Sequence, residues 1–178
     1  MRVKARAVAF GGVITALALT LMLLAGVLPT ASYSLAALAG MLLVPLVIEF
    51  GFKISVAAFV AVGLLAMLLI ADKEAGVLFC CILGWYPIAK APIEKIKSHI
   101  LCRAAKLAVF NLAVMGFYFI STRLFFAAGF EDTLFGQYGL PVLWGMGNIA
   151  FIVYDIALSK LIVLYMRRLH SRLKKLIG

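Results

Sequence analysis

Charge is what this sequence has least of. Its 178 residues include 7 Asp and Glu and 17 Lys and Arg, 13% in all, against about a quarter in an ordinary soluble domain. That shortage excludes a soluble globular fold, and a 66% apolar content excludes a disordered or collagen-like chain. Histidine is nearly absent, with only His99 and His170, and the three cysteines Cys80, Cys81 and Cys102 show no Cys-x-x-Cys spacing. No metal or redox cluster is therefore expected. The phosphate-binding Gly-x-x-x-x-Gly-Lys-Ser/Thr sequence is missing, so the chain should not hydrolyse ATP unaided. Also missing are Gly-x-Ser-x-Gly, His-Glu-x-x-His and any pair of acids within one apolar run. The expectation is a protein that is not an enzyme and carries no cofactor.

What is present is long apolar runs, with a mean hydropathy of +1.15. At ~20 residues per membrane crossing, a chain of this length holds about six helices and no separate soluble domain. Between Ala7 and Ala89 the charged residues are Glu49, Lys53, Asp72, Lys73 and Glu74, and they divide the region into pieces of helical length. The reading is an all-α integral membrane protein, one transmembrane domain over residues 1–178. Its spans fall at about 7–28, 34–50, 54–71, 75–92, 107–128 and 139–166. The run 7–28 is longer than a signal-peptide core, so it is read as a retained first span.

With the N-terminus inside, 15 of the 17 basic residues fall on the cytoplasmic side, and only Lys73 and Arg123 on the other. This predicts both termini in the cytoplasm. It also gives the net charge of +10 a cause other than nucleic acid. Residues 93–106 place Ile93, Ile96, Ile100 and Leu101 between Lys95, Lys97, Arg103 and Lys106. That pattern predicts a basic amphipathic helix on anionic inner-leaflet lipid. The tail 167–178 repeats it.

Few polar side chains lie within the spans, and in hydrocarbon each needs a reason. Arg123 either pairs with Glu131 or Asp132 or lines an outward-facing cavity with Tyr118, Ser121 and Thr122. Asn148, in Trp144-Gly-Met-Gly-Asn148, either bonds a neighbouring helix or contacts a ligand. Asp155 should find an ion pair, with Lys160 in reach, or a tyrosine; Asn111 and Glu49 pose the same question more weakly. Trp85-Tyr86-Pro87 should kink the fourth span. On the first span, Ala5, Ala9, Gly12 and Ala16 form one small-residue stripe. Such a stripe serves close helix packing inside the protein or docking of another membrane protein.

Size, span count and the first helix together resemble the substrate-binding S component of energy-coupling factor (ECF) vitamin transporters. Members of that family carry Ala-x-x-x-Ala on helix one. Here Gly12-Val-Ile-Thr-Ala16 is similar and Ala5-Arg-Ala-Val-Ala9 matches, within the opening Arg6-Ala-Val-Ala-Phe-Gly-Gly-Val-Ile-Thr-Ala-Leu-Ala-Leu19. The resemblance implies a bacterial plasma-membrane protein that docks through Gly12 and Ala16 on a membrane coupling subunit served by cytoplasmic ATPases. A vitamin-like small molecule would enter from outside, under the Pro29–Tyr33 and Gly129–Tyr138 loops. Arg123, Tyr138, Trp144 and Asn148 are the expected ligand contacts. The alternative is a non-enzymatic scaffold of the rod-shape-determining MreD type, which has a similar size and span count and needs no ligand pocket.

Overall fold

The computed structural model describes residues 2–125 and 139–168. Among them no strand occurs, and six helical segments are long and apolar enough to cross a membrane: Ala7–Val27, Pro29–Phe50, Phe52–Leu69, Lys73–Ile93, His99–Ser121 and Trp144–Arg168. The expected six-span helical fold is present, with two spans broken by proline.

Helix α1, Arg2–Val27, ends where Leu28 leaves the helical region, as a residue before proline tends to. A single 3₁₀ turn, Pro29–Ala31, leads into α2, Ser32–Met41. Ser32 holds this corner by donating its hydroxyl to the carbonyls of Ala25 (2.8 Å) and Leu28 (3.2 Å). The second span then breaks at Leu42–Leu43, because Pro45 cannot donate to the Met41 carbonyl and its ring collides with it. It resumes as α3, Val44–Phe50. Gly51 makes the next turn at φ 74°, a conformation that favours glycine, and α4 follows as Phe52–Leu69.

The fourth span departs furthest from a regular helix. Asp72 caps α5, Lys73–Leu78, by accepting from the Ala75 N–H at 3.1 Å. The chain then widens into a π-helical turn, Phe79–Leu83, closed by Gly84 N–H to Phe79 O at 2.8 Å. After Gly84–Trp85 it resumes as α6, Tyr86–Ile93. Pro87 removes the N–H that would have served the Leu83 carbonyl, and the Tyr154 hydroxyl of the last helix replaces it at 2.9 Å. The kink expected at Trp85-Tyr86-Pro87 is thus a full interruption, stabilised from another helix.

Residues 93–106 differ from the expected separate helix. α6 stops at Ile93, just past Pro92; a short loop follows; and α7 runs unbroken over His99–Phe125. Ser98 starts it by accepting from the Leu101 N–H at 3.4 Å. The apolar spacing of Ile100 and Leu101 continues into the fifth span, which is why one helix absorbs both. α8 covers Gly139–Arg168. At 1.5 Å per residue α7 and α8 are about 40 and 45 Å long, more than the ~30 Å of a hydrocarbon core.

α1 lies against α2 and α4 through Ala7, Gly11, Ile14, Ala18, Met22 and Ala25, spaced three and four apart. A second cluster joins the broken fourth span to α7 and α8. There Phe110 and Phe151 stack at 4.2 Å, and Tyr86 meets Phe151 edge-on at 4.8 Å. Gly40 of α2 lets these parts close up. A Cβ there would sit 2.3 Å from the Leu83 oxygen and 2.8 Å from the Tyr154 hydroxyl. Packing is uneven across the bundle, since half of the fourth span is buried but only 11% of the fifth and 22% of the sixth.

Candidate functional site

Three features bear on function: a charged cluster where α6, α7 and α8 meet, an amide cluster between α7 and α8, and the outward face of α1. The charged cluster is centred on Asp155. Its Oδ1 accepts from the Tyr86 hydroxyl at 2.7 Å and from the Lys90 ammonium, while Lys106 Nζ lies 3.1 Å from Oδ2. Lys90 also donates to the Asp155 carbonyl (3.1 Å) and to Ser159 Oγ (2.9 Å). One oxygen of Glu94 bridges the two lysines, 3.1 Å from Lys90 and 2.8 Å from Lys106.

Two cations and two carboxylates from three spans therefore neutralise one another. Lys90 has no exposed surface, a position that an ammonium tolerates only when paired and fully hydrogen-bonded. Asp155 finds both partner types expected of it, an ion pair and a tyrosine. Its ion pairs cross the bundle to Lys90 and Lys106, whereas Lys160, 500° further round the same helix, takes no part. Sequence reasoning placed Lys90 and Lys106 among the cytoplasmic charges and did not join them to Asp155. The available signal was the four-residue spacing of Tyr86, Lys90 and Glu94, which puts all three on one face of α6.

Asn148 and Trp144 come together with Asn111. Asn111 Nδ2 donates to Asn148 Oδ1 at 3.1 Å and Asn148 Nδ2 returns a bond to Asn111 Oδ1 at 3.3 Å, an oxygen that also accepts from the Trp144 indole. The remaining amide hydrogens go to the Leu107 and Trp144 carbonyls, at 2.8 and 3.0 Å. This satisfied cluster joins α7 to α8. The side chain of Arg123, and Tyr138 altogether, lie outside the described residues, as do Glu131 and Asp132. Nearby, Ser121 Oγ is buried without a hydrogen-bond partner among the described residues.

Gly12 and Ala16 sit on the exposed side of α1 with Ala5 and Ala9. A Cβ on Gly12 would meet no atom within 4 Å. The glycine that does pack internally is its neighbour Gly11, which lies against Ile54 of α4. Internal packing thus falls on the opposite face, and the stripe is left open.

A groove of about 260 Å³ runs between α1, α2, α3 and α8, walled by Leu21, Leu38, Met41, Leu42, Val44, Pro45, Leu161 and Tyr165. It is apolar and includes neither Trp144 nor Asn148. At its Tyr165 end the phenol donates to Glu49 at 2.9 Å. Among the described residues no group of three His, Cys, Asp or Glu could hold a metal ion. Comparison of the chain with protein-family models, curated proteins and solved structures finds no match.

Proposed function

We propose that the protein is the substrate-binding membrane subunit of an ECF-type uptake transporter, with both termini in the cytoplasm of a bacterial cell. The observation that carries this reading is the open stripe on α1. Gly12 and Ala16 face away from the bundle while the other face of the same helix is packed. A small-residue surface in lipid allows close approach of another helix, which suits a membrane coupling subunit with its ATPases. The basic end of the bundle, exposed at Lys95, Lys97 and Arg103, suits anionic inner-leaflet lipid. The ligand would be a small molecule held near Arg123, Tyr138, Trp144 and Asn148.

The test is co-purification. Gly12→Leu with Ala16→Leu should remove the ATPase complex from the purified protein. The stability of the isolated chain should not fall, because both sites are exposed and leucine in place of a mid-helix glycine is favourable by up to about 1 kcal/mol. Native mass spectrometry of the wild-type complex should find a bound small molecule. An ATPase-free preparation with no small molecule would overturn the proposal.

One observation favours a second reading, a membrane scaffold of the MreD type. The polar atoms of Trp144 and Asn148 are already consumed by Asn111 and by backbone. A scaffold needs such residues only to hold helices together. It would lose partners in the α1 double variant without ever carrying a ligand.

A further inference from the structure

The break in the fourth span lies directly beside the charged cluster, since Tyr86 and Lys90 of the segment that follows it both bond Asp155. α6 has only eight residues and is separated from α5 by the π-helical turn and by Gly84–Trp85. At that junction Gly84 sits in close contact, since a Cβ on it would lie 2.7 Å from Phe79 and 2.8 Å from Phe59. The freed Leu83 carbonyl is held by Tyr154 at the junction itself, so that bond survives a rotation of the segment beyond it.

The polar anchorage of α6, by contrast, centres on Asp155, with Lys90 also reaching the Asp155 carbonyl and Ser159 Oγ and Glu94 at the end of α6 pairing with Lys106. Both Tyr86 and Lys90 end on Asp155 Oδ1. Without the Asp155 carboxylate, Lys90 keeps only the counter-charge of Glu94 at 3.1 Å, and lysine can follow that rim carboxylate toward water by extending its four-carbon stem. The way out is short. Glu94, one turn further along, is already 41% exposed, so a modest rotation of α6 brings Lys90 to the same rim.

We propose that the Asp155 carboxylate is a latch that holds α6 against α7 and α8, and that α6 swings as a unit about the Phe79–Trp85 junction when the latch opens. Lys106 and Glu94 form its outer half. They close the cluster from α7 and from the loop after α6, and they leave Lys90 inaccessible as long as Asp155 is occupied. π-helical turns inside α-helices occur frequently at functional sites.

The experiment reads Lys90 directly. Detergent-purified protein is treated with a water-soluble amine-acylating ester, and modification of Lys90 is measured by mass spectrometry relative to exposed Lys95. Acylation of Lys73, which starts α5 on the far side of the junction and donates to the Met67 carbonyl of α4 at 2.7 Å, reports the rest of the bundle. In Asp155→Asn, Lys90 modification should rise about tenfold or more while Lys73 keeps its wild-type rate, as expected of local opening. Glu94→Gln, at the exposed rim, should shift Lys90 in the same direction by less and provides the test if the first variant does not fold. Lys90 remaining protected in the folded variants would overturn the latch. So would a parallel rise at Lys90 and Lys73, which would mean that the bundle loosens as a whole.

Discussion

The last helix is tied to the rest of the bundle by two polar clusters built on opposite terms. Around Asp155 the groups are ionised, one of them fully buried, and they come from three spans. Around Asn148 they are neutral amides and an indole, partly exposed, and they join only α7 to α8. Both are satisfied as they stand, so they differ less in what they contribute when intact than in what remains when one member is removed. An amide that loses its partner can turn to a backbone carbonyl, as both asparagines here already do with their second hydrogen. The buried Lys90 ammonium also donates to a backbone carbonyl and to Ser159, but these are neutral. Without Asp155 a single carboxylate, Glu94, would be left to offset two lysines. Polar contacts between membrane helices are accordingly worth about 0.6 kcal/mol on average and up to about 1.7, whereas breaking a buried ion pair costs about 3–5 kcal/mol.

The largest expected effect follows from that asymmetry. Asp155→Leu should lower unfolding stability by about 3–5 kcal/mol before any relaxation of α6, measured by thermal or denaturant unfolding in detergent. Adding Lys90→Met should recover most of the loss, because no uncompensated charge is then buried and Lys106 keeps Glu94. If the double variant is as unstable as the single one, the cost lies in packing and the contrast with the amide cluster disappears.

Gly40→Ala should come next, at about 1–3 kcal/mol, the usual range for overfilling a packed site. Its Cβ would press on the Leu83 carbonyl and the Tyr154 hydroxyl, which lie between the two clusters. The same melting assay checks it, and a neutral outcome would show that α2 can move away from the fourth-span break at no cost. Smallest of the three is Asn148→Leu, at about 1 kcal/mol. Should it match Asp155→Leu, the amide cluster would be the principal tether of α8.

Much of this architecture was legible in the chain. Six apolar stretches of spanning length became six helical spans, and Asp155 was marked by its position as an acid in need of a partner. Pro87 announced the fourth-span break, and Pro45 sits at the second. Less legible was what fills these breaks. Nothing near Leu83 indicates that Tyr154, 71 residues away, serves its carbonyl. Nor does the pattern of residues 93–106 distinguish a surface helix from the lead-in to a span, since both need the same alternation of Ile and Lys.

The division has a physical basis. Hydropathy is a sum over about 20 neighbouring residues, so the number and approximate extent of the spans are local properties that the sequence determines by itself. Which face of each helix turns inward depends on how it is rotated against neighbours that are distant in sequence. Tertiary structure alone therefore decided that Gly11 packs while Gly12 stays open, and that Asn111 takes up Trp144 and Asn148. It also decided that Asp155 pairs with Lys90, 65 residues away, and leaves Lys160 on its own helix aside.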